Sequence, residues 1–247
     1  MVVHELFLLH LGQLGARDEK TGEAHYNQVP GYLIRTATGN VVVVDTGNPL
    51  AMIGAEDAEP WARLLSNTLP EDDIVPRLAE HGLTPADVDL LVSTHFDFDH
   101  CGRHDVFGEA GTESVVQSRH LAAARKERRY DRALWDVPGI RYREVDGDVE
   151  LEPGLRLIAT SGHAIGHQSV FVEAVDGPVI LAVDAISAGD MIETREIPDW
   201  YSDVGEAARS MDRLVALANE TGAYLLFGHD QPQWDSVPKS PAPFRRS

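Results

Sequence analysis

The alternation of hydrophobic and polar positions predicts strands and helices along the whole chain. Short apolar runs that end at polar or turn-forming residues are typical of buried strands. Such runs occupy eight segments: 5–9, 31–36, 41–44, 87–92, 156–160, 169–173, 179–183 and 223–227. Apolar residues at helical spacing, next to capping aspartates or terminal glycines, predict three helices. The first is capped by Asp72 or Asp73 and ended by Gly82, and the others lie at 118–129 and 204–221. Because strands follow one another in runs, the pattern favours two mixed sheets covered by helices over a simple doubly wound sheet.

The composition is that of a single folded domain. Of the 247 residues, 43% are hydrophobic and 25% are charged, and no repeat or flexible linker divides them, so we expect one domain over 1–247. No apolar run approaches the ~18 residues of a membrane span, and the first residues lack the features of a signal peptide. We therefore expect a cytoplasmic protein without a membrane partner.

The charge balance limits the class of partner. The chain has 40 acidic and 21 basic residues, a net charge of -19, which disfavours nucleic acid because a phosphate backbone requires a basic surface. We expect a small-molecule partner and a monomeric or homodimeric state. Cys101 is the single cysteine beside 11 histidines, so the ligands of any bound metal are expected to be imidazoles and carboxylates.

Four predicted strands end directly in residues that bind metals. The strand at 87–92 leads to the cluster His95–His100, and three later strands lead to His163, Asp184 and His229. Strand ends hold side chains in defined positions, as metal ligands require. Within the cluster we expect alternate residues to point the same way while Phe96 and Phe98 anchor in the core. Adjacent Asp99 and His100 then face a second direction, which favours two neighbouring metal positions over one.

A lone histidine at a strand end is usually a hydrogen-bonded structural residue, but this combination resembles the metallo-β-lactamase superfamily. The cluster is similar to the family's His-x-His-x-Asp-His motif, and Asp45-Thr46-Gly47 extends the resemblance to almost the whole chain. The chain is most similar to the N-acyl-homoserine lactonase branch. That narrower similarity rests on four motifs: Asp99-His100-Cys101-Gly102, Gly166-His167-Gln168-Ser169, Leu181-Ala182-Val183-Asp184-Ala185 and Phe227-Gly228-His229-Asp230.

The resemblance implies an α/β fold of four layers, an αβ/βα sandwich in which two mixed β-sheets are flanked by helices. It also implies a dinuclear metal centre. The first metal would be bound by His95, Asp97 and His163. The second would be bound by Asp99, His100 and His229, with Asp184 bridging both. Such sites are usually dizinc, although nitrogen and oxygen ligands also suit iron, manganese or cobalt.

Two positions depart from the family pattern. Asp97 stands where the motif has its second histidine, and a carboxylate binds zinc at ~2.0–2.2 Å but is shorter, harder and charged. We expect the first position to keep a metal with a weaker preference for zinc; an empty or partly occupied first position is the alternative. Ser187 stands three residues after Asp184, where the lactonase branch typically has a tyrosine. Either another donor such as Tyr201 takes that role, or the substrate differs.

The resemblance implies hydrolysis of a lactone ring, foremost that of an N-acyl-homoserine lactone, by a hydroxide that bridges the metals. We expect Asp99 and Asp184 to be the catalytic carboxylates, with Asp99 passing a proton to the leaving alkoxide and His167 orienting a ligand or the loop. The apolar segment Met52–Leu65 is either a core or dimer contact or the wall of an acyl-chain pocket. The candidate substrate-binding residues are Met52, Trp61, Leu64, Ser187 and Tyr201.

Other functions of the same fold stay open. A thioesterase of the glyoxalase II type would need a basic patch, and the C-terminal part offers little beyond Lys239, Arg245 and Arg246. A lactonase for a different ring is a further alternative. A non-catalytic metal-binding sensor, in which Asp97 impairs the site, is the alternative outside the enzymes.

Overall fold

The computed structural model describes residues 3–18, 20–55 and 64–246. Within these ranges the chain forms twelve strands and eight α-helices. The strands are β1 (Glu5–Arg17), β2 (Ala24–Arg35), β3 (Val41–Val44), β4 (Leu65–Ser66), β5 (Leu90–Val92), β6 (Glu113–Gln117), β7 (Arg141–Val145), β8 (Val149–Glu152), β9 (Leu155–Ala159), β10 (Gln168–Ala174), β11 (Gly177–Val183) and β12 (Tyr224–Phe227). The α-helices are α1 (Ile74–Ala79), α2 (Phe98–Cys101), α3 (His104–Ala110), α4 (Ser118–Ala124), α5 (Arg132–Trp135), α6 (Asp190–Thr194), α7 (Val204–Thr221) and α8 (Gln231–Ser236).

The strands form two mixed sheets. The larger sheet has the order β4-β1-β2-β3-β5-β6-β7, in which β1, β2 and β3 are antiparallel and β3, β5, β6 and β7 are parallel. The smaller sheet has the order β12-β11-β10-β9-β8, in which β12 runs parallel to β11 and the other neighbours are antiparallel. This arrangement confirms the two mixed sheets that the sequence pattern favours.

Alternating side chains place each sheet between two apolar layers. In β1, Leu6 and Leu8 enter the core between the sheets, whereas Phe7 and Leu9 pack on the outer face with helix α1. This is the two-residue period of a strand that is buried on both faces. On the other sheet, Ile180 packs outward against helix α7. Helices therefore cover both outer faces, and the four-layer αβ/βα sandwich is confirmed.

The best-predicted elements are those with local boundary signals. Helix α7 occupies the expected range, because Asp203 caps its first turn by accepting from the Glu206 amide and Gly222 ends it with a φ of 66°. Asp73 caps α1 in the same way. The helix predicted over 118–129 is wrong in its second half: α4 ends at Ala124, and the chain then turns so that Tyr130 packs into the core.

The ends of several strands meet at one edge of the two sheets. Strands β9, β11 and β12 of the smaller sheet run in the same direction, and their carboxyl ends face the carboxyl ends of β3 and β5 of the larger sheet. The loops that follow these strands carry the predicted ligands. Among the residues that the structure describes, no helix has both the length and the apolar composition needed to cross a membrane.

Candidate metal centre

The cluster after β5 turns into a short helix rather than remaining a loop. Asp97 stands at the amino-terminal cap of α2, and the first turn of this helix carries Asp99 and His100. Phe96 anchors the cluster, since it is buried and stacks on Trp135 with ring centroids 5.0 Å apart. The expectation that Phe98 also anchors in the core is wrong: it is half-buried and lines a cavity above the cluster.

The predicted ligands lie together as two groups. In the first group, Nε2 of His95 and Nε2 of His163 lie 3.3 and 2.9 Å from Oδ2 of Asp97. In the second, Nε2 of His100 and Nε2 of His229 lie 3.5 and 3.7 Å from Oδ2 of Asp99. Each group brings three ligand atoms within 4.8 Å of one another, as is needed to surround one ion.

Asp184 lies between the two groups. Its Oδ2 is 3.2 Å from Nε2 of His163 and 3.8 Å from Nε2 of His95, in the first group. Its Oδ1 is 3.2 Å from Nε2 of His229 and 3.6 Å from Nε2 of His100, in the second. One carboxylate oxygen thus faces each group, which is the geometry of a bridging ligand.

Hydrogen bonds from Nδ1 hold the imidazoles of the second group in position. Nδ1 of His100 donates to Oδ2 of Asp45 at 2.8 Å, and both side chains are fully buried. Nδ1 of His229 donates to the carbonyl oxygen of Gln28, also at 2.8 Å. A donating Nδ1 leaves the lone pair of Nε2 directed at the centre, which is the arrangement typical of metal-bound histidine.

The donor set fits divalent cations. Nε2 of His95, Nε2 of His100 and Oδ1 of Asp184 are buried and have no hydrogen-bond partner among the described residues. A buried polar atom without a partner costs about 1–3 kcal/mol, so three of them around one point fit the binding of a cation there. Imidazole and carboxylate donors suit zinc, and also iron, manganese or cobalt.

The charges of the centre perturb its ionisable groups. Burial raises the pKa of Asp184, but the imidazoles of His229 and His100 outweigh it and hold this pKa well below its usual range. Burial raises the pKa of Asp99, because the neighbouring imidazoles offset it only in part. Burial lowers the pKa of His229, yet the Asp184 carboxylate raises it to about 9. Carboxylates crowded in this way favour bound cations.

Arg129 is a member of the centre that the sequence did not reveal. Its Nε donates to Oδ1 of Asp97 at 2.7 Å, and a terminal nitrogen donates to Oδ2 of the same carboxylate. Burial raises the pKa of Asp97, but the hydrogen bonds from Arg129 lower it well below its usual value. A carboxylate at a position where the family has histidine indicates that a positively charged side chain is needed nearby. It does not indicate which basic residue that is.

A cavity of about 930 Å³ opens above the centre. Its floor includes Asp97, Asp99, Asp184 and His229, and its walls include Leu14, Leu64, Phe98, Arg129, Ser187 and Trp200. Trp200 is 59% exposed, and its ring centroid lies 5.2 Å from that of His163. Like Arg129, it has no local signal in the sequence that marks it as part of the site.

The candidate substrate-binding residues have different positions. Leu64 and Ser187 line the cavity. Met52 is the last residue of the short turn Leu50–Met52, and its side chain is fully buried. It does not line the cavity, so its predicted contact with substrate is not supported. Tyr201 is 5% exposed and lies behind Ser187, with 2.7 Å between the two hydroxyl oxygens. Trp61 lies outside the described residues.

His167 lies behind the first group of ligands. It is fully buried, its ring centroid is 5.0 Å from that of His95, and its Nδ1 hydrogen-bonds to Oγ1 of Thr160 at 2.9 Å. Burial lowers the pKa of His167 well below its usual value, so its ring is neutral. This position agrees with a residue that packs against a ligand without reaching the cavity.

The chain is similar in sequence to known hydrolases. A family model, the metallo-beta-lactamase superfamily, matches residues 27–229. An N-acyl homoserine lactonase of a Bacillus species is 33% identical over 204 residues, which cover 81% of this chain and 80% of that protein. The N-acyl homoserine lactonase AttM of Azorhizobium caulinodans is 28% identical, with 96% of this chain and 97% of that protein covered.

The fold is similar to solved lactonase structures. An N-acyl homoserine lactone hydrolase, with the product N-hexanoyl-L-homoserine bound at its catalytic metal centre, has a TM-score of 0.88 and 29% identity. That similarity covers 98% of this chain and all of the other. An AiiA variant of B. thuringiensis, with N-decanoyl-L-homoserine at its active site, gives a TM-score of 0.88 and 28% identity over 98% of this chain and 100% of that chain. The chain therefore belongs to the metallo-β-lactamase superfamily, in its N-acyl-homoserine lactonase branch.

Proposed function

We propose that this protein is a metal-dependent lactonase that opens the ring of N-acyl-homoserine lactones, with zinc as its metal. The observation that carries the proposal is the pair of ligand groups that face opposite oxygens of Asp184 on the floor of an open cavity. The similarity to N-acyl homoserine lactonases at 28–33% identity supports the substrate class.

The chemistry of the centre fits hydrolysis of an ester. Divalent cations at such a centre supply an acidified water as nucleophile and polarise the carbonyl of the substrate. Asp99 lines the cavity, and its Oδ2 faces His100 and His229. Its other carboxylate oxygen is left to take the proton of the attacking water and to return it to the leaving alkoxide.

A hydroxyl pair provides the donor that the family tyrosine would supply. The hydroxyl of Tyr201 can donate to the backbone carbonyl of Asp184, which lies 3.3 Å away. In the contact between Tyr201 and Ser187, either hydroxyl can be the donor. When Tyr201 donates to Ser187 instead, the hydrogen of Ser187 is free to point into the cavity. We infer that Ser187 donates to the carbonyl oxygen of the substrate and that Tyr201 orients it.

The cavity walls suit an acyl chain. Leu14, Leu64, Phe98 and Trp200 present apolar surface along one continuous cavity that reaches the centre. Apolar contacts of this kind bind an alkyl chain in proportion to the surface that they remove from water. The lactone ring would then lie over the ligands, with the acyl chain against Trp200.

The experiment is a panel of homoserine lactones, other lactones, esters and thioesters, assayed by pH-stat on protein of measured zinc content. We expect homoserine lactones to turn over, chelation to abolish the activity, and His229→Ala to lower it about 100-fold or more. His81→Ala is the matched control, since His81 hydrogen-bonds to Ser240 away from the centre. Undiminished turnover by metal-free protein, or turnover of thioesters but not of homoserine lactones, would refute the proposal.

A further inference from the structure

We propose that Arg129 competes with the first cation for Asp97 and His163, so that the two metal positions of this centre differ sharply in affinity. The second position, formed by Asp99, His100 and His229, is filled first, and the first position is filled only when the guanidinium withdraws. The inference rests on the metal centre proposed above and concerns how this chain loads it.

The guanidinium engages two of the three ligands of the first group. Besides its two hydrogen bonds to the Asp97 carboxylate, a terminal nitrogen of Arg129 lies 3.0 Å from Nε2 of His163. A guanidinium has only donors, so in this contact Nε2 of His163 accepts with its lone pair, in the tautomer that carries the ring hydrogen on Nδ1. A cation at the first position would need that same lone pair and the same carboxylate of Asp97.

Further contacts hold Arg129 in place. The other terminal nitrogen donates to the backbone carbonyl of His163 at 3.0 Å and to Oγ of Ser202 at 3.3 Å. The guanidinium carbon also lies 5.7 Å from the ring centroids of both Trp200 and Tyr130, within the range of cation–π attraction. Several surrounding residues therefore hold the side chain of Arg129 against Asp97, in addition to the ion pair itself.

The imidazoles of the two groups differ in their support. Nδ1 of His100 donates a hydrogen bond to the buried carboxylate of Asp45, and Nδ1 of His229 donates to the backbone carbonyl of Gln28. In the first group, Nδ1 of His95 meets only the hydroxyl of Thr94, and Nδ1 of His163 has no hydrogen-bond partner in the described ranges. The loss of such an outer partner typically weakens metal binding 10–100-fold. The second position is therefore the tighter one, independently of Arg129.

The inference is tested by titrating metal-free protein with Zn²⁺ in a calorimeter and by measuring the zinc retained after dialysis. We expect one tight equivalent and a second that binds about 100-fold more weakly or worse. Arg129→Met keeps an unbranched side chain but removes the competing charge. It should tighten the weak equivalent at least about tenfold and leave the tight one unchanged.

A matched control and a second variant keep the test decisive. Arg132→Met removes an arginine that pairs with Asp136 at the surface, and should leave both equivalents unchanged. If Arg129→Met does not fold, the double variant Asp97→His with Arg129→Met restores a neutral imidazole, and it should bind the weak equivalent at least about tenfold more tightly than the unaltered protein does.

The outcomes separate this inference from the proposed function. Two equally tight equivalents in the unaltered protein, or a weak equivalent that neither Arg129→Met nor the double variant tightens, would overturn the competition and leave the metal centre intact. A protein that binds no zinc at all would overturn the metal centre and the inference with it.

Discussion

Asp45 is the residue whose replacement most directly tests the support of the second metal position. It is fully buried, and its carboxylate accepts three hydrogen bonds: from Nδ1 of His100 at 2.8 Å, from the Thr94 amide at 2.9 Å and from the Thr94 hydroxyl at 2.6 Å. Asp45→Asn keeps the shape of the side chain. Asparagine also tolerates the left-handed backbone at this position, where φ is 57°, so the variant adds no backbone strain.

The expected magnitude follows from counting acceptors. An amide has one oxygen, so in either orientation its NH₂ group faces at least one donor of His100 or Thr94. One buried donor left without an acceptor costs about 1–3 kcal/mol in the free energy of unfolding of the metal-free protein. Because His100 also loses the carboxylate that directs its Nε2, the zinc affinity of the tight equivalent should fall 10–100-fold.

Two measurements check these figures. Urea unfolding of metal-free protein gives the stability, and competition with a chromophoric chelator gives the zinc affinity. Asp89→Asn is the matched control: Asp89 is exposed and accepts one backbone amide, from Val41 at 2.8 Å, so its replacement should cost less than about 1 kcal/mol and leave zinc binding unchanged. Asp45→Asn protein that unfolds and binds zinc like the unaltered chain would refute the role of Asp45 in holding His100.

Three further predictions concern the donor, the cavity and the pH dependence of stability. Ser187→Ala should lower kcat on the order of 100-fold with little change in KM, and Tyr201→Phe should lower it less; equal, small effects would exclude the hydroxyl pair as carbonyl donor. Trp200→Ala should raise KM for a decanoyl substrate on the order of tenfold and for a hexanoyl substrate by less, as steady-state kinetics would detect; equal changes would place the acyl chain elsewhere. Burial lowers the pKa of His104 from 6.5 to about 3, so the native state stays neutral while the unfolded chain takes up a proton below pH 6.5. That difference should remove about 1.4 kcal/mol from the free energy of unfolding for each pH unit below 6.5. In His104→Gln, the slope of this free energy against pH, measured by urea unfolding, should be smaller by that amount. An unchanged slope would contradict the prediction.

The elements that could be predicted are those whose boundaries are set by neighbouring residues. Helix α7 has its cap and its terminal glycine within its own sequence, and β11 has a continuous apolar run. The sequence pattern does not predict strand β7, because Arg141–Val145 is polar and largely exposed. Its strand conformation comes from pairing with β6, which lies far away in the sequence and is not visible to a local pattern.

The site shows the same division. The seven proposed ligands follow strand ends and belong to short motifs, so their assembly could be expected from the sequence. The contact between Arg129 and Asp97 joins positions 32 residues apart. Arg129 lies in the loop after α4, where the apolar pattern wrongly predicts that the helix continues. Trp200 reaches the cavity from the segment between α6 and α7 in a similar way. Contacts of this kind depend on how the layers pack, which periodicity does not encode.

The charge of the centre nevertheless explains why Asp97 and Arg129 occur together. Relative to the family motif, Asp97 replaces a neutral imidazole with a carboxylate, which adds one negative charge to a centre that already contains Asp99, Asp184 and Asp45. A buried charge without a partner is strongly unfavourable, and Arg129 returns one positive charge through two hydrogen bonds to the same carboxylate. The pair therefore keeps the net charge that the family pattern has with histidine. The effect of Asp97 on metal binding therefore depends on whether its negative charge faces a cation or the guanidinium of Arg129.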